Sequence, residues 1–151
     1  MFDLEGFRSA VDHLHSLLER TDEAVAGIQL SSDSWSLKEI VGHLIDSASN
    51  NHQRFVRLQE GPLEEFPAYA GERWIQIQRY NQMSWSLLKE LWLNYNRLIL
   101  WLAGHMPESC LANTWSVEGN ARTLEWLVND YYRHLKWHTE HFQRRISELS
   151  V

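Results

Sequence analysis

The sequence predicts an all-α protein built as a four-helix bundle. Apolar residues recur at three- and four-residue spacing through almost the whole chain. Four of these stretches are long enough for bundle helices, and glycine or proline falls between them. No segment shows a convincing strand alternation. With 151 residues, one bundle domain spanning 1–151 is expected, large enough to bury a real core.

The first helix is expected from about Asp3 to Ala26, with Phe7, Val11, Leu14, Leu17 and Leu18 inward and Gly27 at its end. The second has the clearest start. In WSLKEI, Ser36 and Glu39 form a capping box, and Trp35 and Ile40 sit where a hydrophobic staple would close over it. It continues to about Gln59, and Gly61 and Pro62 break it. A loop is expected from Pro62 to Gly71, then a short helical piece from Arg73 to Asn81. The third long helix spans roughly Ser84 to Gly104, with Leu87, Leu88, Leu91, Tyr95, Leu98 and Leu102 inward. The stretch PESCLANTWSVEGNAR reads as a connection, and Thr123 opens a last helix running to about Leu149.

Composition narrows the function. The formal net charge of −6 argues against a general grip on nucleic acid, whose affinity rests on neutralised phosphates. The longest apolar stretches, such as LILWLA, are far too short to span a bilayer, so no membrane partner is expected. The N-terminal stretch lacks an apolar signal core, and the single cysteine, Cys110, cannot form an internal disulfide. A cytoplasmic location is the resulting expectation. Eight tryptophans suggest a core or a pocket built on large rings.

Chemistry concentrates in HLKWHTEH, near the C-terminal end. His134 and His138 fall inside the apolar stripe of the last helix, four residues apart, so their imidazoles share one side. His141 lies nearer the edge of that stripe. On the second helix, His43, Asn51 and Arg54 share or border the inward face, with Asp46 and Asn50 within a turn. Buried polar groups cost free energy unless partnered, so this band across two helices asks for a common cause. One is a metal ion held by His43, His134 and His138, since imidazole suits Zn²⁺, Ni²⁺, Fe²⁺ and Cu²⁺. The other is a set of core histidines satisfied by hydrogen bonds.

The stretch WSLKEIVGHLIDSASNNHQRF resembles the second-helix signature of the DinB-like superfamily, a Trp-Ser helix start followed by Gly-His-Leu and a polar turn. DYYRHLKWHTEHF resembles that family's last helix, with its His-x-x-x-His pair and a large apolar residue four further on. WIQIQRYNQMSWSLLKELWLNYN is similar to members of a DinB branch. The resemblance runs from about Trp35 to Ile146. It implies an up-down-down-up bundle and a three-histidine site, usually carrying Zn²⁺ or Ni²⁺, with His43, His134 and His138 as ligands. Characterised relatives include bacillithiol-using transferases and a mycothiol-using isomerase.

The expected function is therefore a metal-dependent enzyme acting on a small electrophilic substrate, either a transferase using a low-molecular-weight thiol or a hydrolase. Asp46 is the candidate to orient an imidazole or take a proton, and Asn51 and Arg54 the candidates to bind an anionic substrate group. A homodimer is expected from the resemblance. The alternative is a non-enzymatic metal-binding or dimeric interaction module on the same bundle. Three ligands rather than four favour chemistry, because a purely structural zinc is normally closed.

Overall fold

The computed structural model describes residues 2–150. Its helices are α1 (Leu4–Glu19), α2 (Glu23–Ala26), α3 (Leu37–Glu60), α4 (Gly71–Gln78), α5 (Trp85–Gly104) and α6 (Leu124–Leu149). Local signals set the starts of the four long ones. Ser36 Oγ accepts from the Glu39 amide at 3.2 Å, and Glu39 accepts from the Ser36 amide at 2.8 Å, the reciprocal box that opens α3. Asp3, Ser84 and Thr123 cap α1, α5 and α6 by accepting from the amide three residues on. The first helix ends earlier than expected. The polar run Arg20-Thr21-Asp22 offers its own bonds to the backbone: the Thr21 hydroxyl donates to the Leu17 carbonyl at 2.8 Å, and Asp22 starts α2.

Hydrogen bonds between elements fix the direction of each helix. The Trp85 indole donates to the Thr21 carbonyl at 2.8 Å, so α5 begins where α1 ends. Lys38 Nζ donates to the Met83 carbonyl at 2.8 Å, so α3 and α5 start side by side and run parallel. Asn113 donates to the Leu58 carbonyl, placing the approach to α6 at the far end of α3. Arg145 donates to the Trp35 carbonyl at 2.7 Å, so α6 returns to the first end. The connection is up-down-down-up. Around the bundle, α3 packs against α5 and α6, and α1 packs against the same two, which puts α1 and α3 on a diagonal.

The inward face of α5 differs from the expected one. Trp85, Leu88, Trp92, Asn96, Ile99 and Ala103 are buried, whereas Leu87, Leu91 and Leu98 are exposed. This helix is apolar almost all round, so leucine spacing alone does not choose a face. Two large rings and one hydrogen bond do. Trp85 and Trp92 fill core volume, and the Tyr131 hydroxyl donates at 2.8 Å to Asn96, which is wholly buried.

The connections also hold a small sheet where loops were expected. Strand β1 (Leu63–Glu64) pairs parallel with β2 (Thr114–Val117), which pairs antiparallel with β3 (Asn120–Thr123). Glu118 and Gly119 form the two-residue hairpin loop, with φ of 50° and 78°. Two consecutive positive φ values suit a primed turn, and Gly119 accepts its share without strain. The sheet lies beside the far ends of α3 and α6, where the Trp115 indole donates to the Phe66 carbonyl at 2.9 Å. Among the described residues, no helix is long and apolar enough to cross a membrane.

Candidate metal centre

Because α3 and α6 are antiparallel neighbours, the second turn of α3 faces the middle of α6. That brings His43 against His134 and His138. The Nε2 atoms of His43 and His134 lie 3.3 Å apart. The His138 ring centroid lies 4.6 Å from that of His43 and 4.4 Å from that of His134. One donor nitrogen from each of the three falls within 4.8 Å of the others. Zinc–nitrogen bonds of about 2.0–2.1 Å at tetrahedral angles would set donors about 3.3 Å apart. The cluster is thus near the size that one ion needs.

Protonation and hydrogen bonding fit the same reading. Burial, and then the neighbouring His134 and His141, hold the His43 imidazole down to about 4. Burial lowers His138 further, with the other histidines adding, and lowers His134 against the pull of Asp130. At neutral pH all three are uncharged, the form that ligates a metal. Ser47 Oγ lies 3.5 Å from His134 Nδ1, at the limit of a hydrogen bond. Among the described residues, the Nδ1 atoms of His43 and His138 are buried without a hydrogen-bond partner. Core histidines held only by hydrogen bonds would not leave them so.

The shell around the histidines is aromatic. Trp35 lies 5.2 Å from the His43 ring and stacks at 6.5 Å, within 11° of parallel, on His138. Trp137 meets His138 edge-on at 4.5 Å. Both tryptophans therefore touch the site, Trp35 in addition to its place in the staple.

No family model matches the chain, and no curated protein matches it. Solved structures do. YfiT from Bacillus subtilis, described as a probable metal-dependent hydrolase with an unusual four-helix bundle topology, superposes with a TM-score of 0.85 at 15% identity, over 97% of this chain and 85% of that one. A DinB-like protein from B. subtilis, YjoA, gives 0.68 at 15% identity, over 98% and 91%. The chain has the DinB-like bundle fold. A mycothiol-dependent maleylpyruvate isomerase gives 0.75 at 14% identity over 90% of this chain, which spans 57% of that protein's length.

Within this DinB-like bundle, the remaining sequence candidates take separate places. Asp46 is 2% exposed and turned from the histidines toward the segment after α4. Its Oδ1 accepts from the Tyr80 hydroxyl at 2.6 Å and from Gln78 at 2.7 Å, and its Oδ2 is buried without a partner among the described residues. Burial raises its carboxyl above the ordinary range, and the two donors only partly offset this. Among the described residues it bonds to no histidine. Asn51 donates to the Ser47 carbonyl at 2.9 Å and borders Arg54, further along α3. His141 stays outside the cluster, its ring 6.0 Å from that of His138.

Two site residues sit in the segment expected to be loop. Tyr69 has its ring 6.5 Å from His43, and burial raises its phenol above the ordinary range. Gly71 opens α4 so close to His43 that a Cβ there would lie 3.2 Å from the imidazole. A third, Trp115, comes from β2. A glycine directly before a helical piece and a tyrosine two residues earlier were visible in PAYAGERW, but nothing in that string says which helix it covers.

Proposed function

We propose that this chain is a metal-dependent enzyme acting on a small molecule at the His43, His134 and His138 cluster. The observation that carries the reading is the convergence of three imidazoles, His138 buried and the other two half-buried, with the Nδ1 atoms of His43 and His138 left without a partner among the described residues. The description of YfiT as a probable metal-dependent hydrolase supports it at the level of fold. Imidazole donors suit Zn²⁺ or Ni²⁺. When bound, such an ion supplies Lewis acidity, lowering the pKa of a coordinated water or low-molecular-weight thiol. Three protein donors leave room for that non-protein ligand. The chain's own residues then shape the reaction. Trp35 and Trp137 pack against the imidazoles, and Gly71 lets the α4 backbone close over His43. Asp46 acts as a positioning residue that fixes Tyr80, and with it the segment leading back from α4 to α5.

A hydrolase and a thiol-dependent transferase differ in the nucleophile. Protein loaded with Zn²⁺ or Ni²⁺ is to be assayed on activated esters in buffer and on electrophiles with bacillithiol or mycothiol. Turnover that metal removal abolishes and reloading restores is expected. Stoichiometric metal with no turnover of any substrate class would favour a metal-binding module without catalysis.

The homodimer is proposed on the outer face of α5. Leu87, Leu91, Leu98 and Trp101 are exposed there at four-, seven- and three-residue steps, Trp101 by 67%. That spacing keeps them on one helix stripe. Pairing two copies antiparallel about Asn94 sets Leu87 against Trp101 and brings Glu90 of one copy within one residue of register of Arg97 of the other. Among the described residues, neither charge has an ion-pair partner within the chain. Sedimentation should give a dimer that Leu98→Glu converts to monomer. A monomeric wild type would overturn this assignment.

A further inference from the structure

Arg54 is the most unusual side chain outside the histidine cluster. It is 6% exposed, on the inward face of α3 two turns beyond Ser47. Burial lowers the pKa of its guanidinium, yet it has no carboxylate within 4.0 Å among the described residues. A buried unpaired charge is among the costliest arrangements a fold can hold. The protein partners that Arg54 does have are weak. Nη1 donates to Asn51 Oδ1 at 3.4 Å and Nη2 to the Pro67 carbonyl at 3.5 Å, both longer than an ordinary N–H···O bond. Nε has no partner among the described residues. The guanidinium face is covered instead by Trp115, with Cζ 4.1 Å from the ring centroid. Stacking of this kind restrains the plane and leaves the edge donors free.

Those donors border a cavity of about 350 Å³ lined by Ser47, Asn51, Arg54, Tyr69, Trp115 and His134. The cavity therefore runs from the unpaired guanidinium to one of the three clustered histidines. Two other charges line it. Arg122 lies over the Trp126 ring, and Asp130 is paired at 3.0 Å with Arg133, away from Arg54. One buried fork with an acidic group at the far wall suits a singly charged planar anion better than a phosphate dianion. The axial rise from Ser47 to Arg54 is on the order of 10 Å. The charge and the reacting atom of a ligand spanning the cavity are thus several bonds apart.

We propose that this cavity binds a small carboxylate substrate, with its carboxylate on the Arg54 fork and its reactive end at His134. The proposal rests on the reading of the three histidines as the reacting centre. Hexanoate and hexanamide are the probes, with tryptophan fluorescence as the readout because Trp115 stacks on Arg54. Hexanoate should bind saturably, at least about tenfold tighter than hexanamide, and lose at least about tenfold in Arg54→Met. Arg54→Lys, which keeps the charge without the fork, should retain part of the affinity. Equal binding of acid and amide, unchanged binding in Arg54→Met, or a preference for inorganic phosphate would overturn it. Metal content measured on the same samples separates the two readings. Arg54-dependent hexanoate binding in protein that takes up no metal would uphold the pocket and refute the metal centre. Full metal content with no preference for the acid would refute the pocket alone.

Discussion

Gly42→Ala should destabilise this protein, although the exchange of glycine for alanine inside a helix ordinarily stabilises it by about 1 kcal/mol. Gly42 lies on α3 directly beneath the Tyr80 ring, and a Cβ there would overlap ring carbons that cannot swing aside. Tyr80 is itself buried and donates at 2.6 Å to Asp46. Overpacking a core costs about 1–3 kcal/mol. Displacing the phenol also removes a hydrogen bond to a buried carboxyl, worth about 1.5–3 kcal/mol. Less the propensity gain, the net loss is roughly 1.5–5 kcal/mol, a sizeable part of the 5–15 kcal/mol that holds a domain together. For a chain of this length that lowers Tm on the order of 10 °C. Thermal unfolding followed by circular dichroism measures it, and a double-mutant cycle with Tyr80→Ala assigns the cause, since the combined loss should be well below the sum. A Tm at or above wild type for Gly42→Ala would show that propensity governs the site and that the Tyr80 contact carries nothing.

Gly71→Ala places a methyl group 3.2 Å from the His43 ring and should weaken metal binding while changing Tm little, as competition with a fluorescent chelator would report; unchanged affinity would remove Gly71 from the site. Asp46→Asn keeps an acceptor for Tyr80 and Gln78 but removes a carboxyl that burial holds above its ordinary range. A raised carboxyl pKa leaves the folded state at full stability below the unfolded-state value and costs stability as pH rises from there through the folded-state value. The variant should therefore gain on wild type most near pH 7 and lose that advantage as pH falls through the folded-state pKa toward the ordinary carboxylate range. Parallel Tm profiles for the two proteins would contradict this.

What the sequence could tell followed from local and periodic signals. The capping box at Ser36 and Glu39 is a four-residue pattern and appears in the fold as read. The histidines were legible because a stripe of period 3.6 carries side chains to one face wherever the helix ends up. The face of α5 was not, because its leucines ring the helix and the choice was made at a distance by Tyr131, thirty-five residues on from Asn96. The sheet was missed for a different reason. Its strands are two to four residues long, too short for an alternation to register, and Glu-Gly is a weaker hairpin signal than Asn-Gly. That omission hid Trp115 and made the surroundings of Arg54 unreadable. A polar residue on an inward face is visible in a sequence, but its lack of a counter-ion is not.

His43, His134 and His138 are proposed to hold one metal ion. Elemental analysis of untagged protein, expressed with metal in excess and compared with His138→Ala, tests it most directly. About one equivalent of a divalent transition metal is expected in the wild type, with loss in the variant while its helical circular dichroism persists. Less than about a tenth of an equivalent in the wild type, or full retention by His138→Ala, would contradict the account.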